Sequence, residues 1–357
     1  MHWPALPSAR AALLLSLLHQ FHHSQRLPPE ALKARQFLQL AELLKHAFET
    51  TPFYRERLAA AGYRPGMAVD EALLARIPVL SRQDVQQAGP ALHSARMPAG
   101  HGTPHSIESA GSTGTPVRVL GTPLTQLLWE AFTLREHEWH QRDLGARLAV
   151  IRFSPELPAQ GKAAPNWGPP ASWLYRTGPS ASLNITTPVD QQARWLLEQR
   201  PAYLLTHPTN AMALAEWFLE KSEQLPSLKQ VRTISEALPA DLREACKQAW
   251  GASVADVYSS RETGYLSLQC PESDLHHVQS EGKLGRFGDA AAGRRQLRQP
   301  AMDDRTPAPG GIPRERCLGS ARVAEDQQNP RVTSDGSQSS GTVSSNRNCK
   351  AKSASGR

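Results

Sequence analysis

Two short segments of the chain carry the residue types needed for chemistry on phosphates. In Ser109-Ala-Gly-Ser-Thr-Gly-Thr-Pro116 the hydroxyls of Ser109, Ser112, Thr113 and Thr115 stand among Gly111 and Gly114. Glycine lets backbone N–H groups turn toward an anion, and hydroxyls add donors without fixing a charge, so the loop suits a phosphate cradle. It lacks the Gly-Lys-Ser/Thr ending of a Walker P-loop. A plain Gly/Ser turn has the same composition. The second segment is Asp256-Val-Tyr-Ser-Ser-Arg-Glu-Thr-Gly264, at the end of an expected strand. Ligands of open α/β sheets sit at the carboxyl ends of strands. There Tyr258 can stack on a base, and Glu262 can hold Mg2+ against phosphates. An isolated copy would equally read as a tyrosine-bearing surface turn. Cys270 with His276 or His277 has zinc-ligand spacing, but two ligands do not close a zinc site. That group also reads as a structural cysteine beside solvated histidines.

Positioning such segments requires regular elements around them. Residues 30–62 have a helical apolar pattern through Leu32, Phe37, Leu40, Leu44 and Phe48, punctuated by Pro52 and Gly62. A second amphipathic stretch, Leu124–Trp139, presents Leu127, Leu128, Ala131, Phe132 and Leu134 on its apolar side. Leu148–Phe153 is a short β-rich run, followed by a Pro-, Gly- and Trp-containing loop over 155–180. Beyond it, 202–206 reads as strand, 210–219 as helix, 231–235 as strand, 242–250 as helix and 253–258 as strand. Strands alternating with helices predict an α/β fold with a mostly parallel sheet flanked by helices.

Near Gly282 this alternation stops. The formal charge is +7, yet residues 283–357 hold 14 Lys and Arg against 7 Asp and Glu, so the preceding 282 residues are neutral. Of those last 75 residues only eight are Leu, Ile, Val or Phe, and one aromatic follows 21 before it. Such composition is below the ~20% floor of foldable chains, so 282–357 reads as a disordered basic tail. A neutral body and a tail without interleaved aromatics argue against nucleic acid as partner. Cys246, Cys270, Cys317 and Cys349 show no paired spacing. Without an export signal they point to reduced thiols in a cytoplasmic protein. The apolar run Ala11–Leu18 is too short to span a bilayer and lacks a basic n-region, so it reads as one buried helical face.

Taken together and in order, the two segments resemble the core motifs of the AMP-forming acyl ligase superfamily: a Ser/Thr-Gly-rich phosphate loop and a Tyr-Gly-x-Thr-Glu motif. Between them, Thr233-Ile-Ser-Glu-Ala-Leu-Pro239 resembles the strand end that borders adenine. The run Tyr258–Glu272 with His276-His-Val-Gln-Ser-Glu281 is similar to phenylacetate–CoA ligase relatives, including those associated with capsular polysaccharide biosynthesis. His46-Ala, Thr51-Pro-Phe-Tyr-Arg55 and Ile77-Pro-Val-Leu-Ser-Arg82 fit the same family. The resemblance covers about residues 30–281. It implies a helical extension over 1–29, an incomplete adenylate-forming core over 30–281, and the tail from 282.

The resemblance implies ATP-dependent activation of a small carboxylic acid, aromatic among the options, with coenzyme A as acyl acceptor and Mg2+ as cofactor. By position, Ser112, Thr113 and Thr115 would hold phosphates within the Ser109–Thr115 loop. Tyr258 would stack on adenine beside Ser259, and Glu236 would lie near it. Glu262 would ligate Mg2+, and Arg261 stands where a hydroxyl usually meets the α-phosphate. The loop lacks the family's lysine beside Pro116, a cation Arg118 could supply. Downstream, the family's Arg-Tyr-x-x-Gly-Asp segment and the small mobile domain with its catalytic lysine are not found. Full ligase turnover is therefore not expected, and a non-catalytic nucleotide-binding or scaffold protein is the alternative. The abrupt change after Glu281 is what a frameshift in GC-rich coding DNA would produce. Acyl-pocket candidates are Trp139, Phe153, Trp167, Trp173 and His207; the oligomeric state stays open.

Overall fold

The computed structural model describes residues 6–108 and 118–284. The phosphate-loop segment 109–117 and all but the first three residues of the expected tail lie outside them. The chain opens with α1 (Ala9–Ser24), capped by Ser8, whose hydroxyl accepts from the Ala11 amide. Its buried residues Ala11, Leu14, Leu18 and Phe21 recur at three and four, the stripe of a helix with one buried face. Helices α2 (Pro29–Thr50) and α3 (Pro52–Ala60) follow. They part at Thr51, because Pro52 cannot continue the hydrogen-bond ladder of α2 and starts a helix instead. Then come α4 (Glu71–Arg76) and α5 (Arg82–Ala88). Leu44, Leu58, Tyr63 and Leu73 form a small core of their own among α2, α3 and α4.

Strands β1 (His105–Glu108) and β2 (Arg118–Gly121) pair antiparallel as a separate two-stranded sheet. Helix α6 (Pro123–Trp139) starts with a reciprocal Thr122/Thr125 capping box. The remaining elements are β3 (Leu148–Arg152), β4 (Lys162–Ala164), α7 (Ala171–Leu174), β5 (Ser180–Asn184), α8 (Val189–Gln199), β6 (Tyr203–Thr206) and α9 (Pro208–Lys221). They end with β7 (Gln230–Thr233), α10 (Leu242–Trp250), β8 (Ser253–Ser260), β9 (Gly264–Gln269) and β10 (His276–Val278). The span 155–180, expected to be loop, thus holds β4, which extends the sheet edge beside β5, and α7. Its Pro and Gly content masked both elements.

Eight strands form the main sheet in the order β10-β9-β8-β7-β6-β3-β5-β4. The five from β8 to β5 run parallel, and the antiparallel strands sit at the two edges. This is the mostly parallel α/β sheet that the alternation predicts. Ala149, Ile151, Leu183, Leu204 and Val231 bury one face against α8, α9 and α10. On the other face Val257, Tyr265 and Leu268 pack with α1, α6 and α7. The connection leaving β3 therefore contributes to one face, while that leaving β6 covers the opposite one. Adjacent strands whose connections diverge in this way open a crevice at their carboxyl ends.

Candidate functional site

The carboxyl ends of β6 and β7 lie level, with Thr206 opposite Thr233, while β8 passes Thr233 at Asp256 and runs on to Ser260. The chain leaves β6 at His207 and β7 at Ile234, and Ser235 takes the left-handed φ of 72°. Beyond that turn, Glu236 meets the first turn of α9. Its Oε2 accepts from the Thr209 amide at 3.1 Å and hydroxyl at 2.7 Å, and Oε1 lies 3.2 Å from His207 Nδ1. Partial burial works against its charge, but bonds from Thr209 and His207 outweigh that and lower the carboxyl pKa. An anion at a helix N-terminus is favourable. Glu236 thus ties β7 to α9 with its carboxylate oxygens engaged by its own chain.

Inside β8, Asp256 is buried and accepts from the Thr233 hydroxyl at 2.6 Å. Burial dominates there and raises its pKa. Two residues on, the ladder shifts register between Tyr258 and Ser259, and Tyr258 is 54% exposed. Its ring therefore offers a free surface at the strand end. Ser259 is half-buried opposite Tyr265. Arg261 and Glu262 are both exposed in the turn that joins β8 to β9. That turn is fixed by Ser260, whose hydroxyl lies 2.8 Å from that of Thr263 and accepts from the Thr263 amide at 3.1 Å. The Lys283 ammonium donates to the Thr263 carbonyl. An exposed carboxylate at a strand end suits Mg2+, which takes one or two carboxylates plus phosphate oxygens.

Of the other expected site residues, Ser109, Gly111, Ser112, Thr113, Gly114 and Thr115 lie outside the described residues. The strands flanking them pair with Glu108 opposite Arg118. Among the described residues no group of three or more His, Cys, Asp or Glu could hold a metal. His277, expected in solvent, is buried, with its ring 5.2 Å edge-on from that of Trp139. The cause is the pleat of β10, which turns every second residue inward. Cys270 is buried too. Phe153 and Trp173 are exposed, and Trp139 packs against Arg135, so of the aromatic candidates Trp167 lines a cavity.

That cavity, a cleft of about 240 Å3, lies on the α6 face of the sheet and runs across β5, β3, β6 and β7. Val150 and Arg152 of β3, Leu205 of β6, Arg232 of β7 and His137 of α6 line it. Behind these, Glu136 is enclosed, paired with Arg142 at 2.7 Å and with Arg232. Burial alone would raise its pKa, but the two guanidiniums outweigh burial and bring it to about 2. His137 is held well below the usual imidazole range by burial and by Arg142. The one-sided pattern expected for Leu124–Trp139 is thus incorrect at its end, because Arg135, Glu136 and His137 are all buried. A signal was available. Three consecutive ionisable residues sweep about 200° of a helix, so in a packed helix they cannot all reach solvent.

No family model matches the chain, and no curated protein matches it. Solved structures do. 2-Hydroxyisobutyryl-CoA ligase in an open conformation with 2-HIB-AMP and CoA has a TM-score of 0.50 and 20% identity over 67% of this chain and 56% of its own. In its thioesterification state the values are 0.52 and 21%, over 70% and 53%. In the postadenylation state with R3-HIB-AMP they are 0.52 and 20%, again over 70% and 53%. The chain therefore spans about half the length of these structures, and at such identity the likeness is one of fold. That fold is a mixed α/β one with a parallel-dominated sheet, the architecture of the N-terminal domain of adenylate-forming ligases.

Proposed function

We propose that this chain carries the nucleotide-binding part of an ATP-dependent, carboxylate-activating ligase of the phenylacetate–CoA ligase type. The observation that supports it is the exposed ring of Tyr258 near the end of β8 with the exposed carboxylate of Glu262 in the turn that follows, in this fold. In the reaction a carboxylate oxygen attacks the α-phosphorus of ATP. The bond to the β-phosphate breaks, and pyrophosphate leaves with an acyl adenylate remaining. A thiolate, with coenzyme A as the acceptor, then attacks the acyl carbon and releases AMP. Tyr258 stacks on adenine, with Ser259 beside it. The Ser109–Thr115 loop supplies donors to the phosphates, and Arg261 faces the α-phosphate. Mg2+ bound through Glu262 would neutralise phosphate charge. Glu236 holds the β7–α9 corner that borders the base. Catalysis of this kind is positioning and charge stabilisation rather than acid–base chemistry.

Isothermal titration with ATP, beside a pyrophosphate-release assay with carboxylic acids, tests this reading. Tyr258→Ala should weaken all adenine nucleotides by ~1–3 kcal/mol, as expected for loss of a stacking surface. Glu262→Gln should weaken binding only when Mg2+ is present; equal losses with and without Mg2+ remove it from the metal. Binding without pyrophosphate release would favour the scaffold alternative. Absence of ATP binding would overturn the nucleotide reading altogether.

A further inference from the structure

The cleft beside β3 and β6 has a charge imbalance that the fold does not resolve. Arg142 and Arg232 share one carboxylate, Glu136. Arg142 is otherwise held inside the protein, donating from Nε to Gln230 at 2.8 Å and from Nη1 to His137 Nδ1 at 3.0 Å. Arg232 donates to the Tyr265 hydroxyl at 2.7 Å, while its Nε is buried with no hydrogen-bond partner among the described residues. Arg152 adds a third guanidinium on the lining, at the carboxyl end of β3. With two guanidiniums on one carboxylate, the cluster keeps a net positive charge beside the cleft, which an anion there would balance.

The histidine supports the same polarity. A guanidinium has only donors, so Nδ1 of His137 must accept from Arg142, and its ring proton sits on Nε2. His137 is neutral, is braced by Trp167 at 5.4 Å, and lines the cleft with Nε2–H as a fixed donor. No acceptor for that proton is present among the described residues. The lining thus offers guanidiniums, an imidazole N–H and the Ser182 hydroxyl, with Val150 and Leu205 as apolar walls.

We propose that this cleft selects a small acid bearing a second carboxylate, held by Arg152, Arg232 and His137. The volume of about 240 Å3 suits a short-chain dicarboxylate. It lies below the ~300–1,000 Å3 of sites for drug-sized ligands. The proposal rests on the carboxylate-activating reading for the fate of the first carboxylate; without nucleotide that carboxylate pairs with the exposed Arg152 at the carboxyl end of β3, while the second sits on Arg232 and His137. Arg152, Arg232 and His137 are then specificity-determining residues, and a bare hydrocarbon tail would leave their donors unpaired.

The test is titration of the full chain with glutarate, butyrate, benzoate and sulfate at one ionic strength, without nucleotide, with ATP titrated separately. Glutarate should bind at least about tenfold more tightly than each of the others, since it alone pairs two charged ends across the cleft. Arg152→Gln, a change at an exposed side chain, should weaken glutarate by about tenfold without moving the melting temperature. Butyrate or benzoate binding as well as glutarate would overturn the proposal. Sulfate binding as well would show an anion site with no preference for a second carboxylate and would also overturn it. Glutarate binding without ATP binding would leave the cleft intact and sink the nucleotide reading. ATP binding without glutarate binding would do the reverse.

Discussion

Replacing Arg135 with methionine should destabilise the protein by about 3–5 kcal/mol, the usual result of breaking a buried ion pair from one side. The Arg135 side chain is 2% exposed and forms a fork with Glu281, donating from Nη2 at 2.6 Å and Nη1 at 3.0 Å. It also donates to Gln279 at 2.9 Å and to the Phe21 carbonyl at 3.1 Å. The guanidinium lies 4.4 Å from the centre of the Phe21 ring and 5.2 Å from that of Trp139. One side chain therefore joins α6 to α1 and to the segment just after β10. Methionine keeps most of the volume and the contact with the rings. It leaves Glu281, which also accepts from Ser24 at 2.5 Å, as a largely buried anion without its cation. Chemical denaturation measures the loss. Lysine should not restore it, because a point ammonium cannot reproduce a fork to a carboxylate, a glutamine and a carbonyl together. In Arg135→Met with Glu281→Gln, part of the loss should return; strict additivity would show that the two do not act as a pair.

The same residues show where sequence reasoning reaches and where it stops. The alternation from Leu148 to Tyr258 exposes its sheet because each buried strand is short, β-branched or aliphatic, and bounded by a helix of the right period. The exposed turn that carries Tyr258 and Glu262 is legible because a strand end followed by such a turn has a recognisable composition. The place of Glu236 after a strand is legible too, but its partners are not. Thr209 and His207 are 27 and 29 residues away, and only the parallel register of β6 with β7 brings them to it. The Glu136–Arg142–Arg232 cluster was missed for a related reason. Arg232 belongs to β7, whereas Glu136 belongs to α6, and local pattern gives no account of a charge whose counter-charge is about a hundred residues distant. Hydrophobic periodicity reports which side of a helix avoids water. It cannot report that α6 is enclosed all round near its end by α1, β9 and the cleft wall.

Glu136→Gln should cost a comparable amount at neutral pH, about 3–5 kcal/mol, and should also change how stability depends on acid. The carboxylate is 1% exposed and lies between Arg142 and Arg232. Glutamine is nearly isosteric, so packing is retained and the loss is electrostatic: two guanidiniums then face each other across a neutral amide. In the native protein the Glu136 pKa falls from 4.5 to about 2, burial opposing the change and the arginines overcoming it. A depressed carboxyl binds its proton more weakly folded than unfolded. Its contribution is therefore complete above about pH 4.5 and is lost as pH falls through the folded value near 2. At ~1.4 kcal/mol per pH unit, that interval accounts for about 3 kcal/mol. Glu281, whose pKa is also lowered, adds to the loss in acid, while Asp256, whose pKa is raised, works against it. The check is denaturant unfolding at several pH values for both proteins. The native chain should lose stability steeply between pH 4.5 and 2, whereas Glu136→Gln should start lower and fall less. Parallel curves offset by a constant would mean that Glu136 is not the titrating group and that the arginines find their counter-charge elsewhere.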